Sequence, residues 1–110
     1  MNRNKYLPLT ETSFYILLAL CEPAHGYRIM QRVEELSDGQ VRIAAGTLYG
    51  ALENLLKQRL IRSLASDDSR RKVYGLTEEG REVLKMDVNR MKHMVLQAEN
   101  LLKEADGGRK

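Results

Sequence analysis

The sequence predicts a mainly helical chain with one small β-hairpin and a long terminal helix. Three observations carry that reading. Apolar residues recur at helical spacing around Phe14, Ile29 and Leu48; two short alternating stretches, "IRSLA" and "KVYGL", flank the polar turn "SDDSR"; and no proline follows Thr77.

Each element has its own signal. Thr10 and Glu11 supply an acceptor and an anion where a first helix would begin, and Phe14, Leu17, Leu18 and Cys21 follow at i, i+3, i+4 and i+7. Pro23 is expected to end it. A second helix follows "AHGY", with Ile29, Met30, Val33 and Leu36 inward and Arg28, Gln31, Arg32, Glu34 and Glu35 outward. "SDG" closes it, Gly39 being suited to the left-handed conformation of a helix terminus. Val41, Arg42 and Ile43 alternate over a length that suits only a stub of strand.

The third helix lies in "AAGTLYGALENLLKQRLI", where Leu48, Leu52, Leu55 and Leu56 form the inward stripe. Its outward face, Gly46, Thr47, Tyr49, Gly50, Glu53, Asn54 and Lys57, opens with small residues and a tyrosine instead of lysines and glutamates. After the hairpin, Thr77 caps a final helix with Glu78 and Glu79 at its positive end, and the helix is expected to run to about Glu104. Only "DGGRK" reads as a flexible tail, and no internal repeat is present.

Composition sets the bounds. With 110 residues, 43% hydrophobic and 30% charged, the chain suits one compact core that folds without disulfides. The net charge of +3 permits attraction to a polyanion, but the clustering of charge is more informative than its sum. Cys21 is the sole cysteine, so an intrachain disulfide is impossible and a reducing compartment is expected. "MNRNKYLPL" lacks an apolar signal core and "FYILLALC" is too short to span a bilayer, which together predict a cytoplasmic protein with no membrane partner.

Three short helices followed by a two-stranded hairpin is the order of a winged helix-turn-helix. In that arrangement the third helix enters a DNA groove and the hairpin loop lies along the backbone. Alone, Arg70, Arg71 and Lys72 would read as a solvated charged turn; at the tip of such a wing they become phosphate contacts. Ala45, Gly46 and Gly50 would let the third helix approach a groove wall, with Thr47 and Tyr49 as neutral hydrogen-bonding groups. The alternative for the glycines is close packing against a neighbouring helix.

In the last helix Leu84, Val88, Met91, Val95, Ala98 and Leu102 are spaced by four, three, four, three and four residues. This heptad seam predicts a homodimer; the alternative is a helix folded back on its own domain. The chain accordingly divides into a DNA-binding region, 1–77, and a dimerisation helix with its tail, 78–110. An enzyme is not expected. Cys21 and His25 are close in sequence, but no third ligand or orienting carboxylate joins them and His93 is remote, so no catalytic residue, metal site or cofactor is assigned. Cys21, placed on the apolar face of the first helix, reads as a buried, unreactive thiol.

The blocks "HGYRIMQRV", "AAGTLYGALENLLKQRLI" and "RRKVYGLTEEGREVL" resemble the signature segments of the PadR family of bacterial transcriptional regulators, and together the likeness covers most of the chain from Thr10 to Leu84. The resemblance implies a winged-helix DNA-binding domain, dimerisation through the C-terminal helix, and repression of a nearby promoter from an inverted-repeat operator in double-stranded DNA. Tyr27 and Tyr49 match the tyrosines of the HGY and GTLY blocks, Arg70, Arg71 and Lys72 match the basic wing, and Arg28 and Lys5 are expected to add backbone contacts. The sequence departs from the family at Ala44 and Ala45, which stand where serine or proline is frequent and forfeit a side-chain cap worth about 1 kcal/mol. Gly75 replaces a residue with a side chain and predicts a looser wing.

Some short members of the family bind flat aromatic compounds between the dimer helices through tryptophan. This chain has none, so no stacking site of that kind is expected; Met86, Met91, Met94 and Phe14 read as core, the alternative being an adaptable apolar space that they line, and a small-molecule effector is left open and unidentified. The rival function is a winged-helix protein-interaction module that does not bind DNA.

Overall fold

Thr10 accepts a hydrogen bond from the Ser13 amide at 3.0 Å and so starts α1 (Glu11–Ala19). In the computed structural model, which describes residues 3–65 and 71–107, a 3₁₀ turn (Arg3–Tyr6) precedes that helix. The helix ends before Pro23: the Arg32 guanidinium donates to the carbonyls of Ala19 at 3.0 Å and Glu22 at 2.8 Å, satisfying the C-terminal acceptors. Cys21 is therefore not on an apolar helical face. It lies beyond the end of the helix and is exposed, which corrects the buried thiol expected from its i+7 spacing.

The next element was not legible in the sequence. Ala24–His25 form a two-residue strand, β1, running directly into α2 (Gly26–Leu36). At the other end of α2, Asp38 takes the left-handed position (φ 53°) and Gly39 follows at φ 77°. The Gly39 amide donates to the Glu34 carbonyl at 2.8 Å and the Asp38 amide to the Glu35 carbonyl at 3.1 Å, the paired bonds of a Schellman closure. No strand forms at residues 41–43: Val41 and Ile43 are loop residues with buried side chains, and the Val41 amide donates to the Ser37 hydroxyl at 2.9 Å. With its hydrogen bond met locally, this segment has no ladder to join.

Helix α3 (Ala45–Lys57) buries Leu48, Leu52 and Leu55 and half-buries Leu56, as its apolar period requires. It closes with the same pair of bonds, Leu60 amide to Leu55 carbonyl at 3.1 Å and Arg59 amide to Leu56 carbonyl at 3.0 Å, with Arg59 left-handed at φ 61°. The hairpin strands β2 (Ile61–Leu64) and β3 (Val73–Leu76) pair antiparallel with Ile61 opposite Leu76 and Leu64 opposite Val73. On the far side of β3, Ala24 stands opposite Tyr74 and His25 opposite Val73, giving a three-stranded sheet ordered β1-β3-β2. Gly75 does not loosen the wing. It is buried and paired opposite Arg62, and a methyl group there would come within 2.9 Å of Leu64 Cδ1, which would have to shift.

Beneath the sheet, Ile16, Leu17, Ile29, Val33, Leu48, Leu60 and Val83 are wholly buried and draw all four helices onto one core. The fourth of these, α4 (Glu78–Gly107), begins where Thr77 ties two elements together. Its hydroxyl donates to the Arg59 carbonyl at 2.7 Å and accepts from the Gly80 amide at 2.9 Å, while its own amide donates to the Leu60 carbonyl at 3.1 Å. The Arg3 guanidinium pairs with Glu79 at 2.6 Å on the same turn. Val83, Leu84 and Asp87 are buried, and the carboxylate of Asp87 accepts from Arg90 Nε at 2.7 Å. The 30 residues of α4, about 45 Å of helix, extend well past that packing and give the molecule its 65 Å long axis. No described helix is long and apolar enough to cross a membrane.

The observed class is thus the one the sequence predicts, mainly α with a wing, and α4 extends three residues beyond the expected Glu104. Gly80 is required by geometry, since a methyl group on it would collide with the Leu60 carbonyl that Thr77 already holds. Gly80→Ala should lower stability by about 3 kcal/mol, the upper range for overpacking against backbone. Equilibrium urea unfolding checks this; a midpoint equal to that of the parent protein would refute it.

Candidate nucleic-acid interface

Three chain segments meet at one cleft of about 670 Å³. Gly26, Tyr27, Arg28 and Gln31 come from the start of α2, Tyr49 from α3, and Arg71, Lys72 and Tyr74 from the wing strand and its approach, with His25 between them. Three of these side chains are cationic and no carboxylate is among the described residues lining the cleft. Arg28 is partly engaged by Glu35 and Gln31, each at 3.4 Å, on an exposed helix face where solvent weakens such contacts.

Packing sets the positions of the tyrosines. Tyr27 is 66% exposed and Tyr49 53% exposed, yet the Tyr49 ring rests on Gly26, where an added methyl group would stand 2.6 Å from the phenolic oxygen. Tyr74, beneath them, is buried; burial raises its phenol above the ordinary tyrosine range, with a smaller contribution from Tyr49. The result is a fixed apolar floor under two exposed phenol groups. Such groups suit stacking and hydrogen bonding at a wet polar surface.

The sequence-derived residues fall into place unevenly. Tyr27, Arg28, Tyr49, Arg71 and Lys72 converge on the cleft, whereas Ala45, Gly46 and Thr47 are exposed in the first turn of α3 and do not line it. Arg70 lies outside the described residues. Gly46 and Gly50 do not pack against another helix, because nothing lies within 4 Å of where a side chain would begin at either position. Ala44 provides no side-chain cap, so the first amides of α3 face outward without one. His25, Gln31 and Tyr74 were not anticipated as site residues. His25, close to Cys21 in sequence, lines the cleft instead, and no group of three or more His, Cys, Asp or Glu among the described residues is placed to hold a metal.

The heptad residues of α4 also separate. Leu84 is only 6% exposed and belongs to the chain's own core, Val88 and Met91 are half-buried, and Val95, Ala98 and Leu102 are exposed. Met94, Leu96 and Leu101 add to the exposed apolar surface. Phe14 joins Val88, Met91, Val95 and Leu96 along one groove, while Met86 and Met94 line another with Leu7 and Pro8, so the methionines do not form a single core cluster.

Comparison with known proteins places these features in context. The model of the Transcriptional regulator PadR-like family matches residues 16–86, which span the core helices, the wing and the start of α4. A solved PadR family transcriptional regulator from Eggerthella lenta is 31% identical, with 93% of this chain and 85% of that one covered at a TM-score of 0.63. A transcriptional regulator from Clostridium thermocellum is 26% identical over 89% of this chain and 91% of its own, also at 0.63. RosR of H. salinarum, at 22% identity, 94% and 98% coverage and a TM-score of 0.69, shares the fold. An uncharacterized 37.1 kDa protein of transposon Tn4556 from Streptomyces fradiae is 35% identical over 82 residues; these are 74% of this chain but only 23% of that protein, so the chain spans about a quarter of its length.

The open space at Gly50 gives a direct test of what that residue is for. Gly50→Ala should stabilise the fold by up to about 1 kcal/mol, since glycine is a poor helix residue and the methyl group meets nothing. A thermal or urea midpoint that falls would show that the position is needed for packing.

Proposed function

Because the chain belongs to the PadR-like family of transcriptional regulators, we propose that it binds double-stranded DNA as a homodimer and represses a promoter bearing an inverted-repeat operator. The convergence of two exposed tyrosines and three cations on one cleft, with no carboxylate among its described lining residues, is the observation that carries this reading. The described residues at the cleft present donors and positive charge, which match a phosphate backbone; Ala45, Gly46, Thr47 and Tyr49 reach base edges in the major groove. Tyr27, Arg28, Arg71, Lys72 and, by sequence, Arg70 hold phosphates on either side.

The division of labour follows the fold. Residues 1–77 form the DNA-binding unit and 78–110 the assembly helix with its tail, although Val83, Leu84 and Asp87 of that helix also complete the DNA-binding unit's core. Val88, Met91, Val95, Ala98 and Leu102 pair across a two-fold axis, because an apolar stripe of that length is not left in water. Two copies so joined would set their α3 helices about 34 Å apart, one turn of B-DNA. The setting is the cytoplasm.

Replacing Arg70, Arg71 and Lys72 by alanine should weaken binding to every sequence alike and reduce the slope of log K against log salt by about one unit per lost contact. Fluorescence anisotropy on a random duplex measures this, and an unchanged slope would remove the wing from the interface. No binding by the parent protein even at low salt would favour the protein-interaction module instead. For assembly, Met91→Lys should shift the sedimentation coefficient from dimer to monomer; a variant that associates as well as its parent, or a parent that is itself monomeric at micromolar concentration, would overturn the dimer.

A further inference from the structure

Arg59 stands in a conformation that its residue type does not favour. At the close of α3 its backbone is left-handed, φ 61°, where a side chain crowds the following carbonyl and glycine is the usual occupant. The main chain holds it there on both sides: the amide donates to the Leu56 carbonyl at 3.0 Å, and the carbonyl accepts from the Thr77 hydroxyl at 2.7 Å. The guanidinium takes no part in this. Arg59 is exposed, and among the described residues its side chain forms no hydrogen bond or ion pair. A cation held at a position suited to glycine, without a use inside its own chain, points to a use outside it.

Arg59 is not alone. Lys5, Tyr6, Lys57, Gln58, Arg59 and Glu79 line a second cleft, of about 460 Å³, at the end of α3. The carboxylate among them is already engaged by Arg3 at 2.6 Å. Lys5 lies over the Tyr6 ring, 5.0 Å from its centroid, and neither Lys5, Lys57 nor Arg59 forms an ion pair among the described residues. We infer that these three cations are a second phosphate-binding patch, which holds the DNA strand on the side of the major groove away from the wing. This inference rests on the DNA-binding reading above, and adds to it Lys57 and Arg59 with Lys5 beside them. The length of α3 supports the placement: Tyr49, in the first cleft, and Lys57 are eight positions apart, about 12 Å of helix, and the major groove of B-DNA is about 12 Å wide. Cations at the two ends of α3 thus match the two sugar–phosphate strands that border one groove.

Glycine at position 59 removes the cation and suits the backbone, so stability and affinity should move in opposite directions. Arg59→Gly should melt about 3 °C higher than the parent. It should nevertheless bind a labelled random duplex roughly eightfold more weakly at about 0.1 M salt, with the slope of log K against log salt reduced by about one unit per chain. Lys57→Gln should lose affinity and slope to the same extent. Lys103→Gln, which takes an equal charge from the exposed far part of α4, should leave the slope unchanged. The patch is overturned if Arg59→Gly keeps the parent's affinity and slope, or if Lys103→Gln lowers the slope as much as the two patch variants, since net charge alone would then be at work. A lower melting temperature for Arg59→Gly would remove the strain from which the inference starts. The wing variant separates the two readings: loss of binding there with none in Arg59→Gly leaves DNA binding standing and the patch refuted, whereas a parent protein that binds no duplex even at low salt defeats both.

Discussion

The carbonyl of Leu60 is the point on which the arrangement turns. It accepts from the Thr77 amide at 3.1 Å and is approached so closely by Gly80 that no side chain fits between them. Since Thr77 Oγ1 also holds the Arg59 carbonyl, the end of α3 and the start of α4 are joined through backbone groups, with no long side chain between them. Side chains relax around a substitution, whereas main-chain contacts of this kind move only with whole elements. Helix α3 and the long helix therefore share one rigid corner, and their mutual angle is a property of the single chain.

A second consequence concerns the other end of the sheet. The two residues of β1 are too few to be stable alone, yet their pairing with Tyr74 and Val73 brings the start of α2 beside the root of the wing. That pairing sets Tyr27 and Arg28 directly beside the strand into which Arg71 and Lys72 lead. The cleft is thus made by sheet topology, and the side chains that line it come from segments up to 49 positions apart in the chain, His25 to Tyr74.

How much of this could be read beforehand depends on whether a feature repeats. The leucines of α3 and the seam of α4 recur often enough to announce their helices, and the resemblance carried by "GTLY" and "RRKVYG" pointed to Tyr49, Arg71 and Lys72. β1 offers no alternation to detect in two residues, and Val41 to Ile43 offered alternation without a partner strand. Cys21 was misplaced because its spacing continues a helix that the chain has already left, drawn away by Arg32 from the next helix. Leu84 fits the heptad by spacing but is claimed by the protomer's core, a choice only three-dimensional packing reveals. His25 was hidden for a related reason: its place is set by pairing opposite Val73 and by capping α2, which neither its identity nor its spacing announces.

The bare start of α3 has an effect of a different kind. With alanine at position 44, the leading amides of this helix have no side-chain cap among the described residues. Their hydrogens will therefore trade with deuterium fastest while the face is empty and slow down once something sits against it. The protein carries its own occupancy gauge, readable at Gly46 and Thr47 without any label attached.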